Sequence, residues 1–191
     1  DSPEELGRFK AYELAVTLGG GWEVIDDLGL GTNLRFIRSA LAPFGTDQEK
    51  GTGIANTVSF DVAAFYKPEN AIATFDDVRI KFAAGINLSN LGPKVAYIDE
   101  AQADPLPTNL RLALSFSVIP DEFNSLTLNT DFSRLLVKRN YYDANGDGKF
   151  VSDDGDEVRP PDPVYDAIFS AWSDGSKLRK VTTGLGLEYW Y

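Results

Sequence analysis

The chain has no cysteine, no methionine and no histidine. Without cysteine there is no disulfide framework, no thiol nucleophile and no thiolate metal site. Without histidine there is no Ser-His-Asp or Cys-His machinery and no His-ligated zinc. Basic residues are scarce too: 18 Lys+Arg stand against 29 Asp+Glu in 191 residues, a formal net charge of −11. Such a balance leaves no basic surface to neutralise phosphates, so no nucleic-acid partner is expected. Long apolar runs are also missing, which excludes a transmembrane helix. Apolar content itself is ample, at 43% hydrophobic and 12% aromatic residues, too much for a disordered chain. One way of crossing a bilayer survives these exclusions. A transmembrane β-barrel alternates lipid-facing and lumen-facing residues, so its average composition resembles that of a soluble protein.

The apolar period is two in nearly every segment. In 109–119, Leu110, Leu112, Leu114, Phe116 and Val118 share one face, opposite Asn109, Arg111, Ala113, Ser115 and Ser117. A helix would scatter these leucines around its circumference, whereas a strand puts them on one side. The same alternation runs through 28–38, 56–67, 78–90, 126–133 and the last segment from Val181 to Tyr191. It is weaker in 9–24, where Gly19-Gly20-Gly21 breaks the pattern. Seven strands are expected.

Their connections differ in kind. Asp26-Asp27 reads as a tight turn, 68–77 as a moderate one and 120–125 as a short one, while 39–55, 91–108 and 138–180 are long and polar. Short turns at one end and long loops at the other are the asymmetry of an outer-membrane barrel. The competing architecture is a soluble antiparallel sandwich or lipocalin-like barrel, which alternates with its apolar face inward. Two features favour the membrane. The face opposite the apolar one carries Gly, Ser, Asn and Thr with charges of both signs: Arg35, Arg79, Lys81, Arg111, Asp61, Asp131 and Glu188. Those suit a polar lumen, where they can pair. Aromatics also gather near strand ends, at Phe65-Tyr66, Tyr97, Phe132, Tyr141-Tyr142 and Tyr189-Trp190-Tyr191, as in interfacial girdles. The expected fold is therefore all-β: an antiparallel transmembrane β-barrel with long extracellular loops, 1–191 forming a single barrel domain. Single-chain bacterial barrels have even strand numbers, so seven strands and no methionine are expected of a piece of a longer barrel, or else a further strand lies within a long loop.

The sharpest local motif is 143–154, within the acidic loop 138–180. Asp143, Asn145 and Asp147 fall at positions one, three and five of a calcium loop, Gly148 at six, the Lys149 carbonyl at seven and Asp154 at twelve. A hard divalent ion needs six or seven oxygens around one point, and this spacing supplies them. Asp154 in place of Glu resembles dockerins and other extracellular calcium modules, whose affinities are roughly 10⁻⁴–10⁻³ M. Asn-Gly-Asp-Gly is also good chemistry for a solvated turn. The motif makes calcium the one expected cofactor.

No catalytic constellation is visible. The pairs Asp26/Asp27, Asp76/Asp77 and Asp99/Glu100 fall in turns or loops, where solvation explains them. Gly19-Gly20-Gly21 is followed by neither a helix nor a Lys-Ser/Thr pair and is no phosphate loop. Ser115 and Ser117 have no base.

Asn87-Leu88-Ser89-Asn90-Leu91-Gly92-Pro93-Lys94-Val95-Ala96-Tyr97, followed by Leu106-Pro107-Thr108-Asn109-Leu110-Arg111-Leu112, resembles the PorV/PorQ family of outer-membrane proteins. Leu34-Arg35-Phe36-Ile37-Arg38-Ser39, Ser59-Phe60-Asp61-Val62-Ala63-Ala64-Phe65-Tyr66, Ile168-Phe169-Ser170-Ala171-Trp172-Ser173-Asp174 and Leu187-Glu188-Tyr189-Trp190-Tyr191 agree in the same order. The resemblance implies a FadL-like barrel of the bacterial outer membrane, of which this chain is the central part, about half. It implies a non-enzymatic role in type IX secretion: binding the C-terminal signal domain of secreted cargo and passing it to the surface attachment machinery. Partners would be cargo, other secretion-system subunits and outer-membrane lipid. No residue here supports the lipid A deacylase role attached to such proteins, and the calcium-like loop is an addition to the family pattern. The alternative is a FadL-like transporter of hydrophobic small molecules. A polar interior lined by Arg35, Arg79, Arg111 and Asp131 suits a peptide, and a continuous apolar one would suit a lipid.

Overall fold

The computed structural model describes residues 11–41, 53–97, 103–137, 140–142, 144, 155, 157–159, 162–170 and 180–191. Seven long strands form one antiparallel meander: β1 (Tyr12–Ile25), β2 (Leu28–Ala40), β3 (Ile54–Tyr66), β5 (Val78–Leu91), β6 (Asn109–Ile119), β7 (Ser125–Leu135) and β10 (Val181–Trp190). They stand where the alternation places them, with ends shifted by up to three residues. The sheet does not close among the described residues. Its outer members are β1 and β10, and each has a single strand neighbour. This is the wall of a partial barrel.

Shorter elements lie where only connections were expected. The segment 68–77 holds β4 (Ala73–Phe75), which pairs with the start of β5 through a two-residue turn. Asp76 and Asp77, the central residues, both have positive φ (44° and 72°), the type I′ geometry that matches strand twist. β4 lies beside the same edge of β5 as β3, so it extends that column rather than adding one to the wall. The long loop from 138 holds a small ribbon of β8 (Asn140–Tyr142) and β9 (Glu157–Arg159), then α1 (Val164–Ser170). The glycine triplet does not break β1. Gly19, Gly20 and Gly21 pair with Asn33, Thr32 and Gly31, and Gly19 leaves the room that the Asn33 amide occupies.

The register puts the alternation to use. Val16, Phe36 and Val58 share one face, as do Leu18, Leu34 and Phe60, and as do Ile86, Leu112, Phe132. This apolar face is the exposed one: Leu18 is 77% accessible, Leu34 58% and Leu187 71%. On the opposite face Ser59 is 1% accessible and Asp61 7%. A soluble sheet buries its apolar side against a second layer. Here the strands touch mainly their bonded neighbours, with no second layer among the described residues, and the polar side is most shielded on β3.

All short connections fall at one end of the strands and all long ones at the other. The turns at 26–27, 67–77 and 120–124 share the first end; 41–53, 92–108 and 136–180 share the second. Buried residues concentrate at this second end: Ala40, Ala55, Leu91, Leu106, Leu136 and, on α1, Ala167.

Candidate functional site on the polar sheet face

The register places Arg35, Asp61, Arg79, Lys81, Arg111, Asp131 and Glu188 on a single face, spread over six strands. They form two ion-paired groups and one transverse row.

The first group is built on a β-bulge. Between β3 and β5 the register slips, so that Ser89 and Asn90 together face Asp61. Asn90 takes φ 59°, the left-handed geometry that asparagine tolerates better than most residues. Asp61 fastens the bulge. Its Oδ1 accepts the Asn90 backbone N–H at 2.8 Å, while Oδ2 accepts Arg35 Nη2 at 3.0 Å and Asn33 Nδ2 at 3.3 Å. Arg35 Nη1 donates to Asn90 Oδ1 at 2.8 Å, and its Nε donates to Thr17 Oγ1 at 3.3 Å. One carboxylate and one guanidinium thus tie β1, β2, β3 and β5 together. Charge-assisted bonds of this kind are the strong ones, and here the carboxylate is shielded from water.

The second group lies across β6, β7 and β10. Arg111 Nε donates to Asp131 Oδ1 at 3.1 Å. Asp131 faces Gly184, and its carboxylate lies where a Cβ at that position would be. The missing side chain is what lets Asp131 lie flat on the sheet. This pair is wetter than the first, at 59% and 34% side-chain accessibility.

Over the second group, from β3 to β10, runs a trough of about 740 Å³. Its floor is narrow in side chain: Gly85, Ala83, Ala113, Gly184 and Gly186. Its polar lining includes Lys81, Ser115, Ser117 and Asn129. Near its short-turn end a row crosses four strands in register, from Lys81 through Ser117 and Thr127 to Glu188. The Ser117 and Thr127 hydroxyls meet at 2.8 Å, and Lys81 Nζ donates to the Glu69 carbonyl at 3.0 Å. Basic groups stand on β5 and β6, acidic ones on β7 and β10. Arg79 is exposed beside this row.

The residue pattern did not single out Asn90, Thr108 or the Ser39–Tyr97 contact. The signal for Asn90 was present as a phase slip: the apolar positions of β5 are even through Leu88 and then jump to Leu91. The candidate calcium ligands Asp143, Asn145, Asp147, Lys149 and Asp154 lie outside the described residues. Among the described residues no group of three or more acidic side chains is placed to hold a metal ion. No described helix is long and apolar enough to cross a membrane, which leaves crossing by strands open.

A family model described as type IX secretion system protein PorV matches residues 6–141, more than two thirds of the chain. The match runs through β1 to β7 and includes every member of the Arg35–Asp61 network. It stops short of the 143–154 motif. A search of curated proteins returns no match.

Proposed function

The chain belongs to the PorV family of type IX secretion system proteins, and from that membership we propose that it forms part of an outer-membrane barrel wall that receives the C-terminal signal domain of secreted cargo and passes it to the surface attachment machinery. The observation that carries this reading is the inversion of the two sheet faces. Exposed Leu, Val and Phe side chains on the outside fit lipid, and a shielded polar side fits a lumen that handles polypeptide. Four charges on that side close as two cross-strand pairs, Arg35 with Asp61 and Arg111 with Asp131. A polypeptide offers backbone groups and mixed charges that such a surface can meet.

The family is one of secretion-system components, which supports a role in binding and transfer. A carrier of hydrophobic small molecules would need a continuous apolar interior, which Lys81, Ser115, Asn129 and Asp131 interrupt. The long loops at 41–53, 92–108 and 136–180 would meet the other subunits. The test is a pull-down of the full-length barrel with cargo C-terminal domains, run beside a fatty-acid binding assay. Retention of the cargo domain without saturable fatty-acid uptake is expected. The reverse result overturns the reading in favour of a FadL-like transporter.

A further inference from the structure

The most shielded part of the polar face lies at its long-loop end, where Ser39, Ala55, Thr57 and Ser59 are all buried. Ser39 and Ala55 are register partners, and Thr57 and Ser59 follow along the same face of β3. What reaches them is the chain leaving β5. Residues 92–97 and 103–108 form two arms, joined by a bridge in which Val95 and Asp104 exchange backbone bonds at 2.7 and 2.9 Å. The first arm crosses two strands: the Tyr97 hydroxyl meets the Ser39 hydroxyl at 3.0 Å, and Ser39 donates to Glu13 Oε1 at 2.9 Å. The second arm is tied at the bulge. Asn90 Nδ2 donates to the Pro107 carbonyl at 3.1 Å, and the Thr108 hydroxyl donates to the Asn90 carbonyl at 3.0 Å. Gly92 passes so close to β3 that a Cβ there would strike the Val58 carbonyl.

Two hydroxyls in this stretch are unsatisfied. Thr57 Oγ1 and Ser59 Oγ are buried with no hydrogen-bond partner. Native structures pair nearly all such groups, so an exception asks for a use. Alanine or valine would fill both places without leaving an unmet polar atom. Their spacing is informative. Two residues apart on one strand face, they are separated by roughly 6.6–6.8 Å, the two-residue repeat of any extended chain. An extended polypeptide laid along β3 would bring every second peptide group into phase with them.

We propose that the arms 92–97 and 103–108 are a latch closed over a peptide-binding stretch of the polar face, fastened by Tyr97 on Ser39 and hinged at the Asn90 bulge, whose release offers the Thr57 and Ser59 hydroxyls to the backbone of an extended polypeptide segment. This rests on the polar face being the interior of a secretion barrel. Among the described residues the Tyr97–Ser39 hydroxyl bond ties the far end of the first arm, while the network around Asp61 holds the hinge.

The chain has no cysteine, so a single Thr57→Cys substitution reports access. In the full-length barrel in detergent, its labelling by a water-soluble maleimide is slow, and Tyr97→Phe speeds it about threefold to tenfold, the effect of one hydrogen bond on a closed–open equilibrium. An identical rate with and without the Tyr97 hydroxyl overturns the latch. In a second variant, Ser39→Cys with Tyr97→Cys bridged by a short bis-maleimide, binding of a synthetic cargo C-terminal peptide is lost, whereas the unbridged protein binds it. Undiminished binding by the bridged protein overturns the peptide-binding role. Should the unbridged protein bind no cargo peptide, the secretion reading falls, and the latch is still decided by the labelling rate alone.

Discussion

Arg35 and Asp61 meet diagonally across neighbouring strands, guanidinium to carboxylate at 3.0 Å, and the same carboxylate holds the backbone N–H of Asn90 at 2.8 Å. An ion pair here is also the clamp of a β-bulge, so the two roles stand or fall together.

Asp61→Ala removes the partner of a largely shielded guanidinium and leaves the bulge without its acceptor. The expected cost is about 3 kcal/mol, the scale for breaking one side of a buried pair. Arg111→Ala acts on a pair that is half in water, and is expected to cost less than about 1 kcal/mol. Unfolding midpoints in one detergent check the order. Equal losses would show that the bulge network contributes nothing special.

The apolar face predicts a sided response to charge. Leu112→Arg sits mid-strand on the exposed apolar face and is expected to destabilise the membrane-inserted barrel by about 2–4 kcal/mol, or to stop assembly. Ser115→Lys, on the polar face of the same strand, is expected to be tolerated. Heat-modifiable gel migration reports assembly of each. A chain improved in solubility by Leu112→Arg is a soluble sheet, not a barrel wall.

Calcium binding by 143–154 is the prediction drawn from spacing alone. Titration calorimetry of the whole protein is expected to show uptake at millimolar calcium that Asp143→Ala abolishes. No heat in the unaltered protein reduces the motif to a solvated turn.

Acid is expected to loosen the turn between β6 and β7. The Asp121 carboxyl is held below its ordinary value of 3.8, first by the Asn124 side-chain amide and then by the Phe123 backbone N–H, with the Asn124 N–H adding to them. A carboxyl lowered on folding stabilises the fold above its unfolded value, and that stability is lost as pH falls through the folded value. The protection factors at Phe123 and Asn124, taken against the intrinsic rate at each pH, therefore hold at pH 4 and fall only in stronger acid. Loss of protection above pH 4 contradicts this sign.

The turn also shows how unevenly the fold was written in the chain. Period-two alternation located all seven long strands, because a single residue's side is set by its neighbours two positions away. The seven charges at Arg35 through Glu188 were separable from the apolar set on the same ground. β4 escaped because three residues are too few to show a period. Asn90 escaped because a bulge is recognised only against its partner strand.

The sequence by itself determined the strands, the two kinds of connection and the composition of each face, since all of these are local. It could not say which face is shielded, because alternation reads the same in a soluble sheet and in a barrel. The tertiary structure decided that: a single layer with its leucines exposed and Asp61 shielded. It also decided which charges pair. Arg35 finds Asp61 across 26 residues and Arg111 finds Asp131 across 20, through the register of strands that no short window contains.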